Sequence, residues 1–302
     1  MTTTPRRPGR SLAPGQLCRI RIRDRASGRV RTVHETAERL FEAPNWSPDG
    51  RLLLNGEGRL WWLPVTGGEP APIDAPGLPP VNNDHVLAPD GVTVFATGTD
   101  GHLWRLPATG GEAVQVTGDD GGRHYLHGIR PDGQRLAYVH LVPGAGKPLS
   151  ARIRTCAPDG GDVREVPTEP GPADGPAWTA DGSALLVNTE AFSTTPGHAQ
   201  IARMREDGTG RVQLTHDERV NWFAHDAPTG DAVLYLSYPP GTEGHPADLE
   251  VELRLVEDER WDSPRTLVTL HGGQGTINVP CWAPDGSAFA YVDYPNVAAA
   301  GD

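Results

Sequence analysis

A short phrase recurs along this chain and restricts its fold more than any other feature. It reads Asn45-Trp-Ser-Pro-Asp-Gly50, then Leu87-Ala-Pro-Asp-Gly91, Ile129-Arg-Pro-Asp-Gly133 and Trp178-Thr-Ala-Asp-Gly182. A decayed copy, Asp226-Ala-Pro-Thr-Gly230, and a clean one, Trp282-Ala-Pro-Asp-Gly286, complete the set. The copies lie 41 to 56 residues apart, glycine to glycine. That period belongs to propeller blades or other repeat arrays, not to one irregular globule. Each copy reads as a tight turn: Pro presets φ, Asp can bond its own backbone, and Gly accepts positive φ.

Around each turn the pattern is one of short strands. In the first repeat Arg51-Leu-Leu-Leu-Asn55 and Arg59-Leu-Trp-Trp-Leu-Pro64 flank Gly56-Glu-Gly58, and Pro70-Ala-Pro-Ile73 forms a weak outer strand. With the run before the turn, that makes a four-stranded antiparallel meander. No sustained 3.6-residue period emerges, so helices are expected to be few. The sixth repeat stops soon after Ala288-Phe-Ala-Tyr-Val292, whereas Leu17–Arg23 and Arg29–Val33 lack partners. Joining the termini in one blade closes the ring and removes open sheet edges. The expected fold is therefore all-β: a six-bladed propeller of four-stranded blades over residues 17–294, with the last blade closed by the N-terminal strands. Residues 1–16 and 295–302 are expected to be flexible tails.

Charge and composition narrow the function. A formal charge of −12 argues against binding nucleic-acid phosphates, which calls for a basic patch. The three cysteines, Cys18, Cys156 and Cys281, form no CxxC pair and read as reduced thiols. Arg6 and Arg7 have no apolar stretch behind them, and no run reaches the length of a membrane span. These features lead to the expectation of a cytoplasmic chain that binds no membrane.

The turn also serves as an alignment ruler. The strand just before it should be the innermost of each blade and face the central channel. There the second, third and fifth repeats carry His85, His127 and His225, and other repeats supply Asn45, Asp174 and Asn278. Gln274 lies in the glycine-rich approach to the last inner strand. Imidazoles from different blades at similar height could converge with an amide oxygen on a divalent Mn, Zn, Fe or Ni ion. The expected metal ligands are thus His85, His127, His225 and Gln274, with His127 and Asp174 moving protons. The alternative is that such histidines bond backbone groups and ligate nothing. Asn221, Trp222, Asn278 and His245 are the expected substrate contacts: Trp222 could stack on a sugar, and His245 sits in a long loop that could reach the channel mouth.

Ser47-Pro-Asp-Gly50 and its copies, with Val65-Thr-Gly-Gly68 and Arg205-Glu-Asp-Gly208, resemble the TolB-like propeller repeats from about Leu17 to Tyr294. Less repetitive words resemble a single-domain TolB-like subgroup: Asn82-Asn-Asp-His85, Leu126-His-Gly128, Asn221-Trp-Phe-Ala-His225, Gly244-His-Pro246 and the segment from Gly272 to Pro280. In style this grouping is similar to the oligogalacturonate lyases. That resemblance implies a divalent metal held by histidines and a glutamine near the axis, and uronide cleavage by β-elimination. The sequence shows neither an export leader nor a separate domain before the repeats, so TolB's envelope role is not part of the expectation.

The leading functional expectation is a metal-assisted enzyme acting on a small polar, carbohydrate- or uronate-like molecule in the channel by elimination, isomerisation or hydrolysis. The alternative is a non-catalytic TolB-like propeller that binds a small molecule, or a protein partner on one of its faces.

Overall fold

The computed structural model describes residues 10–142 and 150–296 and shows a six-bladed β-propeller with no helix among them. Blade 1 runs outward from the axis through Glu42–Trp46, Arg51–Gly56, Arg59–Pro64 and Ala71–Pro72. Blade 2 comprises Val81–Leu87, Thr93–Gly98, Leu103–Pro107 and Val114–Gln115. Blade 3 comprises Arg123–Ile129, Leu136–Val142, Ser150–Cys156 and Arg164–Glu165. Blade 4 contains Ala173–Trp178, Leu185–Thr189, Gln200–Met204 and Val212–Gln213. Blade 5 contains Val220–Asp226, Ala232–Tyr238, Leu249–Glu257 and Arg265–Gly272.

Blade 6 closes the ring as expected, with Ala288–Asp293 pairing Cys18–Asp24, which in turn pairs Val30–Thr36. Its inner segment departs from a regular ladder. It touches the neighbouring strand through the Trp282–Phe289 bridge and the bonds Ala283 N to Ala288 O (2.8 Å), Ala290 N to Cys281 O (2.9 Å) and Val292 N to Thr276 O (3.2 Å). Gly273 and Gly275, both at positive φ, bend the approach to this segment out of strand geometry.

Apolar residues from facing blade surfaces hold the ring together. One cluster joins Trp222, Leu234 and Leu253 of blade 5 to Trp282, Phe289 and Tyr291 of blade 6. Each such side chain contributes about 1.5–3 kcal/mol when fully buried. The tryptophans before the turns reinforce the seams. Trp282 Nε1 donates to the His225 carbonyl at 3.0 Å, and the Arg130 guanidinium lies 5.5 Å from the Trp178 ring. Side-chain amides clamp inner strands across blades as well: Asn45 accepts from Leu87 N and donates to Pro280 O, and Asn188 accepts from Phe223 N. Asn45 thus braces three blades and does not serve the channel. All three cysteines are free and buried.

The described parts of the two terminal segments make defined contacts with the ring. Arg10 donates to Glu42, to the Gln274 carbonyl (2.9 Å) and to Asp248 (2.9 Å), and stacks 4.0 Å over the Tyr294 ring. Gln16 bridges to Asn296, and Leu17 N donates to Pro295 O. Residues 10–16 and 295–296 are therefore packed onto the ring, because buried acceptors there need donors. Residues 1–9 and 297–302 lie outside the described residues.

One feature of the inner strands decides where side chains point. In all five regular blades the register breaks just before the turn: between Glu42 and Asn45, Val81 and His85, Leu126 and Gly128, Asp174 and Ala177, and Trp222 and His225. Ala43, Gly175 and Phe223 sit at positive φ within these breaks. At a β-bulge two residues oppose one, so the alternation of faces resets there.

Candidate functional site

A cavity of about 220 Å³ opens where the inner strands of blades 2, 3 and 4 meet the inner segment of blade 6. Its polar lining is Asn82, Asp84, Tyr125, His127, Asp174, His245, Gln274 and Asn278; Val139, Leu141 and Ala151 of blade 3 supply an apolar wall. Five residues expected at the site are thus brought together: His127, Asp174, His245, Gln274 and Asn278.

At its centre His127 Nε2 lies 3.3 Å from Asp174 Oδ1, and His245 Nε2 lies 4.0 Å from Asp174 Oδ2. The bulge in blade 4 aims this carboxylate, with Gly175 at φ +57° and its N–H donating back to Asp174 Oδ1. His245 reaches the cavity from the loop before Leu249–Glu257. Its Nδ1 pairs with Gln274 Oε1, and its ring packs edge-on against Trp222 and Phe223 at 4.5 and 5.1 Å. Phe223 also stacks on His127 at 5.9 Å. Asn278 Oδ1 accepts from Gly275 N at 2.7 Å, which leaves its buried Nδ2 without a protein partner.

The charges are coupled. Burial would depress His127, but Asp84 and Asp174 outweigh it and hold the imidazole above its usual range. Burial would raise Asp174, but the His127 bond, with His245 and Gly175 N–H, holds it below the usual carboxylate range. Asp84 goes the other way: burial outweighs His127 and the Asn82 hydrogen bond and raises it. The cavity therefore offers an imidazole–carboxylate pair that favours its charged form beside a second, buried carboxyl group. Such a set can bind hydroxyl and amino groups or shuttle a proton.

Four expected site residues are elsewhere. His85 is fully buried and its Nε2 faces Leu53 O of blade 1 at 3.4 Å; His225 Nε2 donates to Ile277 O of blade 6 at 2.7 Å. Both rings are inter-blade struts held neutral, with burial as the main cause bringing each down to about 4. Neither ring lines the cavity, and the ligand atoms of His85, His127 and His225 do not gather within 4.8 Å of one another, so the set His85, His127, His225 and Gln274 is not assembled. Asn221 is sealed in a network with Asp217, Gln200 and Ser237. Trp222 is core, and it reaches the site only by backing His245.

Asn82, Asp84 and Tyr125 are the residues that the sequence reading missed. Asp84 immediately precedes His85, and Tyr125 lies two positions before His127. The word Asn82-Asn-Asp-His85 held the signal, but its bulge turns Asp84 to the cavity and His85 away. Among the described residues, the one trio of metal-competent groups with ligand atoms within 4.8 Å of one another is Asp120, His124 and His140, outside this cavity.

No protein-family profile matches the chain. An uncharacterized protein of Agrobacterium fabrum is 37% identical over 298 residues, which span 94% of this chain and 95% of the relative. A structure provisionally assigned as TolB from Agrobacterium tumefaciens superposes with a TM-score of 0.84 at 34% identity, covering 93% of this chain and 99% of that one. An oligogalacturonate lyase in complex with manganese shares the fold at 16% identity and a TM-score of 0.57, over 84% of this chain and 74% of the lyase. The expected cytoplasmic location is corrected by this kinship with solved structures described as TolB. Near-full-length identity of 37% and a shared ring place the chain in a family: it is a member of the TolB-like β-propellers.

Proposed function

We propose that this protein is a binding propeller that takes a small polar molecule in the cavity between His127, Asp174, Asp84 and Asn278. The observation that carries this reading is the cavity itself: convergent polar groups on rigid strands, beside an apolar wall, are the usual make-up of a small-molecule site. Two carboxylates in a closed space favour a neutral or cationic ligand rich in hydroxyl or amino groups. A free uronate would set its own carboxylate against Asp84 and Asp174.

A second reading, a metal-assisted acid–base enzyme acting on a uronide, draws on the His127–Asp174 pair and on the manganese of the lyase that shares this fold. The placement of His85 and His225 away from the cavity weighs against it. Calorimetric titration of a panel of neutral and amino sugars, amino acids and uronides, with and without Mn²⁺, separates the two. Binding without metal that is lost in Asp84→Asn and Asp174→Asn supports the binding propeller. Mn²⁺-dependent release of an unsaturated product from a uronide, abolished by His127→Ala, overturns it in favour of the enzyme.

A further inference from the structure

A second cluster of ionisable side chains lies behind the wall of the cavity. Asp120 sits in the connection between blades 2 and 3, His124 opens the inner strand of blade 3, and His140 is its cross-strand partner. Alternate residues of these strands, Tyr125, Val139 and Leu141, line the cavity, whereas His124 and His140 occupy the intervening positions. Both imidazoles are almost fully buried, and Asp120 is accessible to solvent at 37%.

The hydrogen bonds specify the tautomer of the neutral His124 ring. Its Nδ1 lies 2.8 Å from the Gly101 carbonyl, which can only accept, so Nδ1 carries the proton and the neutral ring presents a lone pair at Nε2. That lone pair faces Asp120 Oδ1, another acceptor, at 3.4 Å. His140 Nε2 points at the same oxygen from 3.0 Å. The His124 lone pair and this carboxylate oxygen are two acceptors side by side, an arrangement that a bound cation satisfies.

The spacing suits a metal ion. Ligands bound at about 2.0–2.1 Å with tetrahedral angles lie roughly 3.3 Å apart, edge to edge. The Asp120–His124 and Asp120–His140 separations of 3.4 and 3.0 Å match that edge, and all three ligand atoms lie within 4.8 Å of one another. The supporting contacts are also those of a metal centre: the Gly101 carbonyl orients His124, Arg154 Nη1 holds the other Asp120 oxygen at 2.7 Å, and Gly122 N at 3.2 Å steadies Oδ1 where it faces the two imidazoles. Position 122 is glycine, and a Cβ there would occupy the space in front of His140 Nε2.

We propose that Asp120, His124 and His140 form a divalent transition-metal site, of the class that takes Zn²⁺, which clips the blade 2–blade 3 connection to the back of the cavity wall. Two imidazoles and one carboxylate are an ordinary zinc donor set, with water in the fourth position. This proposal does not depend on the ligand of the axial cavity.

The test is calorimetric titration of tag-free, chelator-treated full-length protein with Zn²⁺. One equivalent is expected to bind, with affinity falling at least about tenfold in His124→Gln and in Gly122→Ala, which keeps all three ligands. His127→Gln, in the axial cavity, is expected to leave Zn²⁺ binding unchanged. Circular dichroism of the metal-free variants checks that they fold. Should they not fold, X-ray absorption of the Zn²⁺-loaded wild-type protein gives the answer: two imidazoles with oxygen ligands support the site, and a sulfur ligand overturns it. Absence of stoichiometric Zn²⁺ binding, or binding indifferent to His124→Gln, also overturns it.

Discussion

His127 Nε2 and Asp174 Oδ1 face each other across 3.3 Å, joining the inner strands of blades 3 and 4 at the wall of the cavity. The pair is made by two different bulges, since each residue immediately precedes or sits at the point where its strand changes register. Two partly dehydrated groups that favour each other's charged form are the electrostatic centre of the site.

Asp174→Asn is therefore expected to lower the His127 pKa, because the amide keeps the shape and removes the charge. Asp84 still supports the imidazolium, so the shift is partial. A raised histidine contributes stability that is complete below its unfolded value of about 6.5 and is lost as pH rises through the folded value. In Asp174→Asn that loss should be smaller. NMR titration of the His127 ring checks the first point and denaturation across pH 6 to 9 the second. An unchanged His127 titration would show that the pair is not coupled.

The ring and its closure were legible in the sequence because a turn that demands Pro, Asp and Gly leaves those residues at a fixed period. The level of the site was legible for the same reason: counting back from the turn leads to His127 and Asp174. The facing of each side chain was not. The break in blade 2 sets Asn82, Asn83 and Asp84 against Thr97 alone, and nothing in the types of Asp84 and His85 says which of the two turns inward. The same counting therefore led to His85 and His225, which hold neighbouring blades, and passed over Asp84. Blade 4 was easier, since Gly175 follows Asp174 and supplies the positive φ that its bulge uses. Blades 1 and 5 place Ala43 and Phe223 in that conformation, where no glycine marks the spot.

Gly175→Ala is expected to damage stability and site together. Its φ is +57°, and an added Cβ would collide with Asn188 Nδ2 and lie 3.3 Å from the Phe223 ring. Asn188 in turn accepts from Phe223 N at 2.9 Å, so the disturbance crosses into blade 5. The cost should be about 1–3 kcal/mol, or a fall in Tm of roughly 2–4 °C per kcal/mol. Calorimetry gives the Tm, and the His127 titration reports whether Asp174 has moved. A variant with wild-type Tm would refute the role assigned to this bulge.

Arg10→Ala tests whether the packed N-terminal segment matters to the ring. Glu42 is almost entirely buried, and burial raises its pKa despite Arg10 and Asn55. Removing the guanidinium leaves a buried carboxylate with Asn55 as its remaining donor. The loss should fall somewhat below the roughly 3–5 kcal/mol of a fully buried pair, since Arg10 retains some contact with water. A carboxyl group raised on folding destabilises as pH rises through its folded value, so the variant should lose more stability at pH 8 than at pH 5. Urea denaturation at both values measures this, and equal losses would mean that Glu42 is not the group left uncompensated.

His85 and His225 lead to a further dependence, of opposite sign to that of His127. Each is buried neutral, bonded to a carbonyl of the adjacent blade, with its pKa brought down from 6.5 to about 4. The unfolded chain protonates these rings first as pH falls, so between 6.5 and 4 it binds more protons than the folded ring does. Stability is then complete above about pH 6.5 and falls below it, by about 1.4 kcal/mol per pH unit for each histidine over the part of that window where its unfolded form is protonated. His225→Gln, whose amide can still donate to Ile277 O without titrating, should remove about one proton from the slope even if it costs stability at neutral pH. Denaturation midpoints taken at half-unit steps from pH 7 to pH 4.5 measure the slopes. Equal slopes in wild type and variant would show that His225 is not held neutral between the blades. A shallower slope in the variant identifies the inter-blade histidines as a source of acid sensitivity in the ring.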